Sequence, residues 1–269
     1  APNKQPTERN PFPLPQPPTK PQPMPQPQPQ PMPLPNSCVK KGRSLEKKGP
    51  YQVRANIRGQ IKTYEPVSDC KKPVVAFNNG TGAQCLFYRS VFENLASHGY
   101  FVACYESTNT GNGNQCLKAL QAGFDRSDTY VDRAGVLGHS QGGGATIACL
   151  WKAEKAFAGV YFAGIPMQPA IGMNFPEASR ALRELESPTF FITGDRDTII
   201  RPSGVARGYS QIKAEKFWYE CRTGCTHFNV QEWTKAAAPA YFNWKLFGHD
   251  DAMDFIQKLP QTQYWRKVQ

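Results

Sequence analysis

Long apolar runs are missing from this chain. Its apolar runs, such as Val74-Val75-Ala76-Phe77 and Gly159-Val160-Tyr161-Phe162-Ala163, fall far short of the ~20 residues that a membrane-crossing helix needs, so no membrane partner is expected. Histidine is scarce, with four in 269 residues, and acidic residues are outnumbered 21 to 32 by lysine and arginine, leaving a net charge of +11. That balance raises nucleic acid as a partner, and Lys40, Lys41, Arg43, Lys47 and Lys48 do cluster. The remaining basic residues are dispersed among acids, and no recognisable nucleic-acid module accompanies them, so no nucleic-acid partner is expected. A basic surface that adheres to anionic polymers or cell walls accounts for the charge. There is no Gly-Lys-Ser/Thr run and no completed G-x-G-x-x-G, which argues against phosphate loops at Asn79-Gly80-Thr81-Gly82 and Gly111-Asn112-Gly113. The chain begins at Ala1 rather than methionine, as a form that has lost an export signal would.

Proline is abundant but confined. The first 35 residues hold 15 of the 25 prolines, in a Pro-Gln-Pro-Met-Pro rhythm that prefers extended polyproline II and cannot bury a core. Residues 1–36 are therefore read as a disordered tether, and 37–269 as one catalytic domain of a size that buries a proper core. Eight cysteines, an even number and many for a reducing cytosol, point to a secreted, disulfide-bearing protein. Cys221 and Cys225 are the expected pair, because Arg222-Thr223-Gly224 can close a tight loop between them; the other pairings stay open. A zinc half-site at the same cysteines would need a second half-site with ligand spacing, and none follows.

From residue 52 onward the patterning becomes regular. Gln52 to Val67 alternates around Gly59 as an antiparallel edge hairpin would. Strands are then expected at Pro73–Asn79, Tyr100–Tyr105, Ala134–Leu137, Ala158–Ala163, Thr189–Thr193 and Lys216–Cys221. Between and after them, helical periodicity marks Tyr88–Ser97, Gln115–Gly123, Gly143–Lys155, Gly204–Lys213 and Gln231–Phe247. Such alternation builds a mostly parallel sheet covered on both faces, with function at the carboxyl ends of the strands.

One of those ends carries Gly138-His139-Ser140-Gln141-Gly142. A sharp strand-to-helix turn lifts a serine hydroxyl clear of the sheet and needs small residues two before and two after it, as Gly138 and Gly142 are. A serine so placed needs a histidine to take its proton and a carboxylate to orient that histidine, and in this kind of sheet they follow in the order serine, acid, histidine. Gly194-Asp195-Arg196-Asp197 follows a buried-type strand; Asp197 is the better orienter, since the residues after Gly194 let its side chain turn back, and Asp195 reads as a solvated or supporting acid. His98 reads as a helix C-cap, His139 as packing and His249 as surface. His227, after the last strand, is left as the base. The oxyanion donors are then the backbone amides of Gln141 and Thr81, although Asn79–Gly82 read alone is also a plain Gly-rich turn.

Taken in order, Asn79-Gly80-Thr81-Gly82, Ser107-Thr108-Asn109-Thr110, Gly138–Gly144, Ile165-Pro166-Met167, Asp197-Thr198-Ile199 and Thr226-His227-Phe228 resemble the α/β-hydrolases of the bacterial cutinase and polyester-hydrolase group. The likeness spans about residues 50–230. It implies an α/β-hydrolase fold and substrate contacts from Gly80, Gly82 and Met167. Thr81, Gln141 and Met167 stand where that group usually has an aromatic residue, a methionine and a tryptophan, which removes ring-stacking surface. The group's disulfide between the acid and histidine loops has no counterpart, since no cysteine lies beyond Cys225. The expectation is a secreted, cofactor-free and metal-free serine esterase, monomeric, acting on an ester substrate that includes insoluble polymers, cutinase-like first and lipase or carbohydrate acyl esterase second. A non-catalytic wall-polymer-binding protein on the same fold is the alternative from another class.

Overall fold

The computed structural model describes residues 36–42, 45, 48–222 and 224–257. The expected tether, apart from Asn36, lies outside the described residues, as do Arg43 and Lys47 of the basic cluster. Eight strands form one sheet in the order β1-β2-β4-β3-β5-β6-β7-β8. The first two, β1 (Val53–Asn56) and β2 (Ile61–Pro66), are the expected antiparallel edge hairpin. The rest, β3 (Lys72–Asn78), β4 (Phe101–Tyr105), β5 (Thr129–His139), β6 (Tyr161–Met167), β7 (Thr189–Gly194) and β8 (Lys216–Cys221), run parallel to one another.

The pleat divides the core in two. In β3, Val75 and Phe77 face one layer while Val74 and Ala76 face the other. The first layer is closed by α1 (Arg89–Ser97), α6 (Val230–Phe247) and α7 (Asp250–Gln257); the second by α2 (Asn114–Phe124), α3 (Gln141–Ala156), α4 (Ala178–Glu184) and α5 (Pro202–Gln211). Burial on both faces is why the parallel strands read as continuous apolar runs rather than alternating ones. Gly248, at φ 65°, ends α6 with its amide on the Asn243 and Trp244 carbonyls.

Strand β5 begins five residues before the expected Ala134, because Asp132 and Arg133 interrupt the apolar run. The Arg133 guanidinium is nonetheless buried, donating to the Leu246 carbonyl at 2.8 Å and pairing with Asp132. Strand β6 starts at Tyr161 rather than Ala158 and continues through Pro166 to Met167. The short α4 and the terminal α7 have no counterpart among the expected helices.

All eight cysteines are paired: Cys38–Cys70, Cys85–Cys104, Cys116–Cys149 and Cys221–Cys225. Cys116–Cys149 joins α2 to α3, and Cys221–Cys225 links the end of β8 to the loop that follows it. Among the described residues, no helix is long and apolar enough to cross a membrane.

The two bridges differ in the loop they close, with sequence separations of 33 and 4. Loop-closure entropy makes the longer one worth about 4 kcal/mol and the shorter about 2 kcal/mol. Urea unfolding should therefore show a larger loss for Cys116→Ala/Cys149→Ala than for Cys221→Ala/Cys225→Ala. The reverse order would contradict this assignment of their stabilising roles.

Candidate active site

Ser140 lies between β5 and α3 with φ 58° and ψ −121°, a conformation that non-glycine residues rarely adopt. Three backbone hydrogen bonds hold it there. Its amide donates to the Met167 carbonyl at 3.0 Å, and its carbonyl accepts from Gly144 at 3.1 Å and Ala170 at 2.9 Å. The flanking glycines are required by space: a Cβ on Gly138 would collide with the Gly142 carbonyl, and one on Gly142 with the Asn78 carbonyl. The junction thus packs α3 against the end of β3 so closely that only hydrogen fits, and Ser140 is left at the N-terminus of a 16-residue helix. Oriented amides there favour developing negative charge.

Asp197 is buried after β7, and its two oxygens have separate roles. Oδ1 accepts from the Ile199 amide at 2.7 Å and the Ile200 amide at 2.8 Å; Oδ2 is 2.7 Å from His227 Nδ1. Asp195 is exposed, and its Oδ1 accepts from the Cys225 amide at 2.9 Å. Asp195 and Arg196 also donate their amides to the Cys221 and Cys225 carbonyls, both at 2.9 Å. The acid and histidine loops are therefore zipped together by main-chain hydrogen bonds.

The Asn79–Gly82 loop is held from beneath. Asn79 Nδ2 donates to the Ala83 carbonyl at 2.6 Å and the Ser107 carbonyl at 2.5 Å, while Thr110 Oγ1 donates to the Asn79 carbonyl at 2.7 Å. Of its amides, that of Gly80 donates to Tyr88 Oη at 3.1 Å and that of Gly82 to the Thr108 carbonyl at 3.2 Å. Thr81 stands exposed between them.

Gly80, Thr81, Gly82, Ser140 and His227 line one cleft of about 420 Å³, together with Ala83, Phe87, Tyr88, His139, Phe228 and Gln231. Its rim is apolar: Phe87 is 68% exposed and Phe228 69%, and Leu86, on the 310 turn Cys85–Tyr88, and Met173 and Ile199, on neighbouring loops, are exposed as well. Thr81 Oγ1 lies 3.8 Å from Met173 Sδ. Gln141 is buried and turns its side chain away from the cleft, accepting from the Thr110 amide and donating to Asn109 Oδ1, both at 3.3 Å.

Three expectations need correction. Met167 does not reach the cleft: its position on the pleat of β6 sends it into the core, where its sulfur accepts from Thr234 Oγ1 at 3.0 Å. His249 is buried rather than on the surface, enclosed where α7 begins. His139 does more than pack, since its Nδ1 lies 2.9 Å from Tyr88 Oη and its Nε2 2.8 Å from the His227 carbonyl. Phe87, Tyr88, Phe228 and Gln231 are cleft residues that sequence reasoning missed; Tyr88 reads simply as the start of a helix, and no spacing signal marks it.

A second depression, of about 400 Å³, lies at the opposite end of the strands beside Glu154, Tyr161 and Glu186. It has no histidine to activate its Ser187. Among the described residues, no group of three or more His, Cys, Asp or Glu is placed to hold a metal ion.

Burial, reinforced by the neighbouring His227, pushes the His139 imidazole down from 6.5 to about 4. As pH falls the unfolded chain takes this proton first, so the stability tied to the neutral ring is whole above pH 6.5, declines toward pH 4 and is lost below it. The full shift corresponds to about 3 kcal/mol. Thermal unfolding across that range should show the wild type losing more stability than His139→Gln; parallel curves would contradict this.

No protein-family model matches the chain. It is similar to the bis(hydroxyethyl) terephthalate hydrolase of Streptomyces coelicolor, with 30% identity over an alignment of 183 residues that covers 62% of this chain. The chain spans 55% of that relative's length. This likeness, and among the described residues a mostly parallel eight-stranded sheet flanked by seven α-helices, are consistent with an α/β-hydrolase fold and make the chain similar to the bacterial polyester-hydrolase group.

Proposed function

We propose that residues 37–269 form a serine carboxylic-ester hydrolase and that residues 1–36 tether it. The observation that carries this reading is a strained Ser140 sharing one cleft with His227, whose ring is 2.7 Å from a buried, doubly anchored Asp197. In this reading Ser140 Oγ attacks the ester carbonyl while His227 Nε2 takes its proton. Asp197 holds the Nδ1–H and stabilises the imidazolium. The Thr81 and Gln141 amides receive the oxyanion, the second of them at the N-terminus of α3. The proton then passes to the departing alkoxide, and water attacks the acyl-enzyme by the same route in reverse.

The apolar rim favours a cutinase-like or polyester substrate. Of the eight large apolar side chains exposed among the described residues, Leu86 and Phe87 on the 310 turn Cys85–Tyr88 and Met173, Ile199 and Phe228 on loops lie around this end of the sheet. Contiguous exposed apolar surface marks binding sites. Phe87 and Phe228 supply ring surface that Thr81 and Met167 do not. The named substrate of the Streptomyces relative is a terephthalate ester, in keeping with aromatic walls. Four disulfides support secretion.

Hydrolysis of p-nitrophenyl esters of increasing acyl length, alongside a polyester film and acetylated xylan, tests the proposal. Ser140→Ala should abolish turnover, and Asp197→Asn should lower kcat roughly 10⁴-fold. Film hydrolysis ranks the polyester reading first, whereas xylan deacetylation without it would favour the carbohydrate esterase. Wild-type rates in Ser140→Ala would overturn the Ser140 mechanism, whereas no turnover of any ester by the wild type would favour the non-catalytic polymer binder.

A further inference from the structure

We propose that Tyr88 and His139 form a hydrogen-bonded bridge that holds the oxyanion loop and the histidine loop in register, making both positioning residues. The inference rests on the esterase reading. The bridge runs from the Gly80 amide to Tyr88 Oη at 3.1 Å, from Tyr88 Oη to His139 Nδ1 at 2.9 Å, and from His139 Nε2 to the His227 carbonyl at 2.8 Å.

The direction of every bond follows from its two ends. A carbonyl only accepts, so His139 Nε2 carries a proton and donates it to the His227 carbonyl. An amide N–H only donates, so Tyr88 Oη accepts from Gly80. The phenol still has its own hydrogen, and the bare Nδ1 of a neutral His139 is the acceptor it meets. Burial favours the neutral form of both rings. One tautomer and one proton order satisfy all four groups, and such chains polarise each bond along them.

What the bridge connects is the reason to assign it a function. At one end the Gly80 peptide precedes the Thr81 amide, the proposed oxyanion donor. Gly80 also lies close to the nucleophile: a Cβ added there would stand 3.3 Å from Ser140 Cβ and 3.2 Å from Tyr88 Oη. At the other end is the main chain of His227 itself. Asp197 fixes the ring of His227 and leaves its backbone to be placed by another group. Tyr88 is held rigidly enough to place it, because its ring lies 4.5 Å from that of Phe77 and Cys85–Cys104 fastens the 310 turn that carries it.

Tyr88→Phe deletes a single hydroxyl and leaves the Gly80 amide and His139 Nδ1 without partners. It should lower kcat roughly 10- to 100-fold with KM changed less than about twofold, the signature of misplaced groups rather than lost binding. His139→Leu should cost a similar factor, and the double variant no more than the worse single one, since the two act as a unit. His139→Gln, which retains a donor for the His227 carbonyl, should recover part of the loss. Independently of activity, ¹H–¹⁵N histidine correlation spectra of the wild type should show His139 protonated at Nε2 and bare at Nδ1, with the Nδ1 resonance moving in Tyr88→Phe. A proton on Nδ1, losses that multiply in the double variant, or a Tyr88→Phe kcat within about twofold of wild type would overturn the bridge. If the wild type were no faster than Ser140→Ala on any ester, the esterase reading would fail instead, and the tautomer measurement would still judge the bridge.

Discussion

The structure around the cleft depends on one backbone conformation, the positive φ of Ser140. A β-strand that turns into a helix within a single residue must bring the helix start against the ends of neighbouring strands. Main-chain hydrogen bonds from β6 and the segment after it hold that residue in place. The strain is offset by the packing of α3 against β3 and β6, where Gly142 has no room for a side chain against Asn78 and Gly143 none against Met167. Everything else in the candidate site is arranged around a hydroxyl that this junction presents at the carboxyl end of the sheet.

The surrounding loops share little regular structure, yet each is tied to a neighbour by specific groups. Asn79 and Thr110 pin the loop after β3, and Gln141 reaches from the start of α3 to the loop after β4. Asp195 and Arg196 close the loop after β7 onto the one after β8. No disulfide joins the acid and histidine loops; the zipper of amides links them, while the Cys221–Cys225 bridge closes the histidine loop on the end of β8. The substitution at Gln141 becomes intelligible in the same terms, because its side chain stabilises a loop instead of walling the cleft.

Much of this is legible in the chain because it is local or imposed by order. Strand and helix periods differ, parallel strands buried on both faces appear as short apolar runs, and the order serine, acid, histidine follows from which loops meet at one end of the sheet. Loop length favours Asp197 over Asp195, and the structure brings Asp197 to His227. What the chain does not reveal depends on side-chain direction or distant contact. Likeness alone puts Met167 at the substrate, but the pleat of β6 points it inward. His249 follows a long helix in a polar stretch, and the unexpected α7 together with the Phe247 ring encloses it. Tyr88 and His139 are 51 residues apart, and nothing in either local pattern announces that they touch.

Covalent labelling separates an activated Ser140 from every rival most directly. Treating the protein with p-nitrophenyl diethyl phosphate and mapping the adduct by mass spectrometry asks which oxygen is activated. A triad of Ser140, His227 and Asp197 requires one phosphoryl group per chain, on Ser140, with labelling suppressed in Asp197→Asn and in His227→Ala. An unlabelled protein, or an adduct that forms elsewhere and leaves Ser140 free, would contradict it.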